Sequence, residues 1–221
     1  MIVSDTERFV FVHNPKCGGM ACRTRLAPFD TRDNFFFEWK PVCEGGKVLD
    51  MAHITPFQLR RFFPQAFGQV AQYVKFGFVR DPYARFLSAI SQHLKLATPA
   101  IRKAILSEPD LFYRFASSFA LNVLDMDAIE NDHRLVHFRP QVHFHNLDGQ
   151  RWTDFAFKLE QPETMQGTPV AKFLPNMSEV RNKTQGYSES GYETDRLSPQ
   201  AIGALTRFYD ADFGCFAYRR H

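Results

Sequence analysis

Two short apolar runs, each leading straight into a turn and then a helix, constrain this chain more than any other feature. The first is Phe9-Val10-Phe11-Val12. It is continuous and rich in aromatic and β-branched residues, the pattern of a strand buried on both faces in a parallel sheet. It runs into His13-Asn14-Pro15-Lys16-Cys17-Gly18-Gly19-Met20, and a helix is expected from Ala21 to Leu26. The second run spans Tyr73 to Val79, with Val74, Phe76 and Phe78 alternating against Lys75 and Gly77. It ends at Arg80. Asp81-Pro82 then opens a helix expected to reach about Leu96, with Tyr83, Phe86, Leu87, Ile90 and Leu94 at helical spacing.

The rest of the chain repeats this alternation. Thr55-Pro56 reads as a helix start, with Thr as cap, Pro at the first helical position, and Leu59, Phe62 and Phe63 facing inward. Pro109 opens another helix, with Phe112, Phe115, Phe119 and Val123 as its core face. A strand is expected over Phe155 to Leu159 and a last helix over Ala201 to Tyr209, started by Ser198-Pro199. The aromatic tail from Phe213 to Tyr218 reads as packed, and the stretch from Pro28 to Val48 as irregular. Strands alternating with helices indicate an α/β fold with a mainly parallel central sheet flanked by helices. No repeat, low-complexity segment or linker interrupts residues 1–221, so a single domain is expected.

Composition narrows the function classes. A chain of 221 residues is long enough for a sizeable core, and its 24 Phe supply much of it. No run of about 18 apolar residues is present, so no membrane span is expected. Met1 to Val12 carries Asp5 and Glu7 rather than a basic start and a long apolar stretch, which argues against a signal peptide. A net charge of +3 without a basic stripe argues against a nucleic-acid partner and suits a local pocket for an anionic ligand. The four cysteines, Cys17, Cys22, Cys43 and Cys215, form no C-x-x-C pair. Reduced thiols in a cytoplasmic protein are the expectation.

The first strand-turn-helix segment has the chemistry of an anion cradle. Glycines let backbone N–H groups approach an anion, the helix N-terminus adds a favourable dipole, and Lys16 adds a full positive charge. The Lys precedes the glycines, so the loop lacks the G-x-x-x-x-G-K-[ST] order of a Walker A motif. An ordinary glycine-rich turn is the alternative. In the second segment, Arg80 lies at the C-terminal end of a strand, where ligands bind in open α/β sheets. Ser88 follows two helical turns later, and the Arg fork and Ser hydroxyl together suit a terminal phosphate. The alternative reading makes Arg80 and Arg85 surface charges at a helix start.

Taken together, Pro15-Lys16-Cys17-Gly18-Gly19 and Val79-Arg80-Asp81-Pro82-Tyr83-Ala84-Arg85-Phe86-Leu87-Ser88 resemble the two nucleotide signatures of sulfotransferases. These enzymes use 3′-phosphoadenosine 5′-phosphosulfate (PAPS). The resemblance is to the carbohydrate-sulfotransferase-like, P-loop-type members, relatives of the heparan and chondroitin enzymes. It implies a three-layer P-loop-type fold and sulfuryl transfer from PAPS to a hydroxyl, on a carbohydrate or glycoconjugate, with PAP (3′-phosphoadenosine 5′-phosphate) as product and no metal. It implies that Pro15, Lys16, Cys17, Gly18, Gly19 and Met20 hold the 5′-phosphosulfate. Arg80 and Ser88 would hold the 3′-phosphate, and Asn182-Lys183-Thr184 would close over the nucleotide. Weaker similarity extends over Ala52-His53-Ile54-Thr55, over Pro140-Gln141 and Phe155 to Glu160 as a later strand region, and over Tyr209 to Tyr218. Family loops often carry Thr or Ser where this chain has Cys17 and Met20. Cys17 at a helix N-terminus would have a lowered pKa and be prone to oxidation, or else be a small space-filler.

Transfer needs a base for the acceptor hydroxyl, and histidine suits it. Among eight histidines, His53 precedes a capped helix start and matches the family's His-containing segment. His13, in the donor loop, and Glu38 follow as candidates. His133, His137, His143 and His145 invite a metal reading but lack a zinc-ligand spacing. Phe35-Phe36-Phe37 and Trp39 either line an acceptor site or fill core. Two other function classes stand beside the transferase: a P-loop nucleotide or small-molecule kinase, and a non-catalytic PAP-binding protein.

Overall fold

The structure, a computed structural model, describes residues 1–41, 48–175 and 192–221. The chain divides into two compact units: residues 1–80 with 141–181, and residues 81–140 with 182–221.

The first unit is built on a four-stranded sheet. Its strands are β1 (Ile2–Ser4), β2 (Phe9–Val12), β5 (Val74–Val79) and β8 (Phe155–Lys158), in the order β1-β2-β5-β8. β1 runs antiparallel to β2, and the β2–β5 and β5–β8 pairs are parallel. Two small antiparallel ribbons complete the strand set among the described residues. They pair β3 (Trp39–Pro41) with β4 (Val48–Asp50), and β6 (Asn146–Leu147) with β7 (Gln150–Arg151).

Strand alternation decides which residues meet which layer, because successive side chains point to opposite faces. Phe9 and Phe11 of β2 join Phe76 and Phe78 of β5 and Phe157 of β8 in one core cluster. Cys22 and Leu26 of helix α1 (Gly19–Leu26) cover that face. Val10 and Val12 point the other way, into a second cluster with Met51, Ile54 and Leu59. Leu59 belongs to α2 (Pro56–Phe62), which α3 (Pro64–Gln69) follows. The result is a sheet between two apolar layers, the α/β arrangement expected from the sequence. Each buried Phe in it is worth about 1.5–3 kcal/mol.

α2 begins where expected because Thr55 and Gln58 form a reciprocal capping box and Pro56 occupies the first turn. Lys75 is a departure. The alternation in β5 suggested a polar face, yet Lys75 is buried, with its ammonium donating to the carbonyls of Ala71 and Tyr73.

The second unit is helical: α4 (Pro82–His93), α5 (Pro99–Ser107), α6 (Pro109–Asn122), α7 (Met126–Asn131), α9 (Pro199–Phe208) and α10 (Asp210–Phe216). The short α8 (Val142–His145) belongs to the first unit. Tyr83, Phe86, Leu87, Ile90, Phe112, Phe119, Leu205 and Phe213 form the core of the helical unit. Val123, expected on the core face of α6, instead lies beyond its last helical turn with φ −121 and is exposed. The aromatic tail is packed as expected, with Phe213 and Phe216 buried in α10.

Candidate active site

The two strands that carry the sequence motifs are neighbours. β2 and β5 pair in parallel with Val12 level with Gly77, so both motifs leave the same end of the sheet. That end is the C-terminal edge, where open α/β sheets bind ligands.

The loop after Val12 turns on two left-handed residues, Lys16 at φ 65 and Gly18 at φ 74. Gly18 is the residue before α1 and supplies no side-chain cap. The first turn of α1 contains no acidic residue, and Arg23 and Arg25 lie in the last turn. The helix dipole and the first-turn N–H groups therefore favour an anion at this end. Gly19 is required by its neighbour: a Cβ there would fall 1.9 Å from the His13 ring.

His13 is held in this place by aromatic packing. Its ring stacks on Phe11 at 6.1 Å and meets the His53 ring at 4.4 Å. His13 also presents its carbonyl to His53, whose Nδ1 lies 2.9 Å from it. A carbonyl only accepts, so Nδ1 carries the proton and the neutral ring keeps its basic lone pair at Nε2. Asp50 Oδ2 is 4.0 Å from Nε2. Asp50 is itself fixed, since its side chain accepts from the Ala52 N–H at 3.0 Å. Burial pushes the His53 pKa down, the Asp50 carboxylate and the bond to His13 oppose that shift, and the nearby Lys16 ammonium adds to it. The two residues expected to be catalytic, Lys16 and His53, are thus close enough for their charges to interact.

Cys17 is a buried residue whose Sγ lies 3.4 Å from both the Pro15 carbonyl oxygen and Gln141 Oε1, the two acceptors open to its single S–H proton. Burial of Cys17 with two acceptor oxygens against its sulfur supports the space-filling reading over the reactive one. Met20 is 57% exposed, which leaves its backbone as its contribution to the loop.

Arg80 follows the last residue of β5 and is half-buried. Its backbone is gripped by one side chain. Gln141 Oε1 accepts from the Arg80 N–H at 2.9 Å, and Gln141 Nε2 donates to the Arg80 carbonyl at 2.8 Å. Sequence similarity placed Pro140-Gln141 in a strand region. The structure corrects this: Gln141 lies in a turn before α8, and the strand is Phe155–Lys158. No local signal marks Gln141, because the Asn14, Cys17 and Arg80 partners of its side chain are 61 or more residues away.

In the helical unit, Ser88 is buried on α4. Arg85 is not a surface charge. It is fully buried, donates from Nη1 to His137 O and from Nη2 to Arg139 O, and lies over the Tyr209 ring at 5.2 Å. Asn182, Lys183 and Thr184 lie outside the described residues.

The remaining candidates separate clearly. Phe36 is buried in core, while Phe37 is exposed beneath the Arg23 guanidinium at 4.0 Å. Glu38 is exposed. His145 is buried against β5 with Nδ1 3.1 Å from Thr153 Oγ1, and burial lowers its pKa to about 3. No group of three or more potential metal ligands is found among the described residues.

A mainly parallel sheet with a glycine-bearing helix start at its C-terminal edge defines an α/β protein of the layered class. The comparison with known families makes this specific. The model described as "Sulfotransferase family" matches residues 1–219, nearly the whole chain, and the protein belongs to that family. It is an enzyme class that transfers sulfuryl groups to acceptors. No curated protein and no solved structure matches the chain.

Proposed function

We propose that the protein transfers a sulfuryl group from PAPS to an acceptor hydroxyl, on a carbohydrate or glycoconjugate, in the cytoplasm. The observation that carries this reading is the convergence of Lys16, the uncapped start of α1 and the His53 base at one edge of the sheet.

The donor fits the residues present. The loop from Pro15 to Met20 would hold the 5′-phosphosulfate, with Arg80 and Ser88 taking the 3′-phosphate. PAPS supplies a sulfuryl group on a phosphosulfate linkage: the acceptor oxygen forms the new S–O bond as the bond to the 5′-phosphate breaks, releasing PAP. His53 takes the hydroxyl proton at Nε2. Asp50, 4.0 Å away, then stabilises the imidazolium. Lys16 and the first-turn N–H groups of α1 offset charge growing on the leaving phosphate. No step calls for a metal.

Calorimetry and labelled PAPS test this together. Tight binding of PAP, weaker binding of ATP and adenosine 5′-phosphosulfate, and transfer of label to a sugar hydroxyl are expected. Equal affinity for nucleotides with and without the 3′-phosphate would remove PAPS as the donor. Magnesium-dependent ATP turnover would make the protein a kinase, and PAP binding without transfer to any hydroxyl would make it a binding protein.

A further inference from the structure

The geometry points to Gln141 as the positioning residue that gives this site its selectivity for nucleotides with a 3′-phosphate. The inference rests on the PAPS reading above. Gln141 is fully buried, so every hydrogen bond of its carboxamide is made within the protein. A buried carboxamide is costly unless its partners are satisfied, and this one satisfies both motif-bearing segments.

Toward β5, Gln141 acts like a neighbouring strand. Its Oε1 accepts from the Arg80 N–H and its Nε2 donates to the Arg80 carbonyl. Arg80 is the first residue after the strand, beyond the last backbone pairing of β5 with β8 at Val79. The carboxamide therefore continues hydrogen bonding for one residue past the end of the ladder. It sets the backbone from which the Arg80 side chain projects.

Toward the other motif, the same Oε1 accepts from Asn14 Nδ2 at 3.1 Å and lies 3.4 Å from the Cys17 Sγ. Asn14 Nδ2 also donates to the Phe78 carbonyl at 3.0 Å, tying the loop to β5 a second time. One side chain thus registers the residue assigned to the 3′-phosphate against the loop assigned to the 5′-phosphosulfate. A donor carrying both groups needs that register, and a nucleotide lacking the 3′-phosphate does not.

The test compares PAP with AMP, which differ only in the 3′-phosphate. Affinities are measured by calorimetry for the wild type, Gln141→Glu and Gln141→Ala, with thermal melting as a check on folding. Gln141→Glu keeps the shape and the acceptor oxygen but loses the donor to the Arg80 carbonyl. The PAP-to-AMP affinity ratio should fall at least tenfold in each folded variant, because Arg80 is no longer aimed. A purely structural role would lower both affinities alike and leave the ratio unchanged, which would overturn the assignment. If neither variant folds, amide exchange in the wild type decides. The Arg80 N–H should slow further on PAP than on AMP, and equal slowing would overturn the assignment. A wild type that binds PAP and AMP equally would instead defeat the PAPS reading itself.

Discussion

The two strand-to-helix turns at the end of the sheet solve the same problem in opposite ways. After β2, helix α1 starts at Gly18 with no side-chain cap and no acidic residue in its first turn. After β5, helix α4 starts at Asp81, whose carboxylate accepts from the Ala84 N–H at 2.9 Å. The first start leaves its positive end for an external anion, and the second supplies an anion of its own. On the proposed reading, the first turn would bind through backbone and dipole, and the second through side chains, Arg80 above all.

The largest effect expected from this contrast is catalytic. His53→Ala should lower turnover by about 10²- to 10⁴-fold, the scale of a lost general base. PAP affinity should stay nearly unchanged, because His53 acts on the acceptor. Full activity in steady-state assays would end the assignment and move attention to His13 and Glu38.

Next comes the side-chain half of the contrast. Arg80→Ala should weaken PAP binding by about 1.5–3 kcal/mol, the scale of a hydrogen bond to a charged group. Lys16→Ala should lower turnover as well as binding, since it serves the leaving phosphate. Calorimetry in which Arg80→Ala binds PAP like the wild type would make Arg80 a structural charge.

Stability should depend on pH through His145, packed against β5, the strand that ends at Val79. Its pKa is about 3 in the fold, because burial disfavours the charged ring, against ~6.5 when unfolded. The unfolded chain then binds more protons between those values. Its contribution is present above the unfolded pKa and is lost as pH falls toward the folded one, at up to ~1.4 kcal/mol per pH unit. Denaturant unfolding at pH 7 and pH 5 measures this, and His145→Gln should flatten the difference.

The cap itself is worth less. Asp81→Ala should cost about 1 kcal/mol of stability, as typical N-cap losses do. PAP affinity should change less than threefold, since the Asp81 carboxylate serves the Ala84 N–H rather than the donor. A large loss of PAP binding without a loss of stability would break the contrast between the two helix starts.

The smallest expected effect is on the pH–rate profile. His53 is active when deprotonated, and its pKa is lowered, so turnover should persist below the usual histidine midpoint. Asp50 raises that pKa, so Asp50→Asn should move the acid limb to still lower pH. A limb that stays in place would remove Asp50 from the site's electrostatics.

Much of the fold was legible because its signals are local. Phe9–Val12 became a strand with the expected bounds, since a run of buried β-formers needs no distant partner to be recognised. Thr55-Pro56, Asp81-Pro82 and Ser198-Pro199 each started a helix through a cap within three residues. α5 and α7 were not anticipated, although Thr98 and Asp125 cap them in the same manner. Their apolar faces are short, with one buried residue each, Ile105 and Ile129, so helical periodicity was faint.

What the sequence by itself determined is the pair of motif-bearing segments: a glycine loop with Lys16 feeding one helix, and Arg80 at a strand end feeding another. Each is written within about ten residues, the range over which strand, turn and cap preferences act. The tertiary structure alone decided how they are held. It turned Cys17 inward, buried Arg85 beneath carbonyls of residues 137 and 139, and seated His13 on Gly19. It set the His53 tautomer through the His13 carbonyl, 40 residues away, and gave Arg80 its grip from Gln141, 61 residues away. The physical reason is that a buried donor or acceptor takes whichever partner the packed chain brings within about 3 Å, and no local period records that choice.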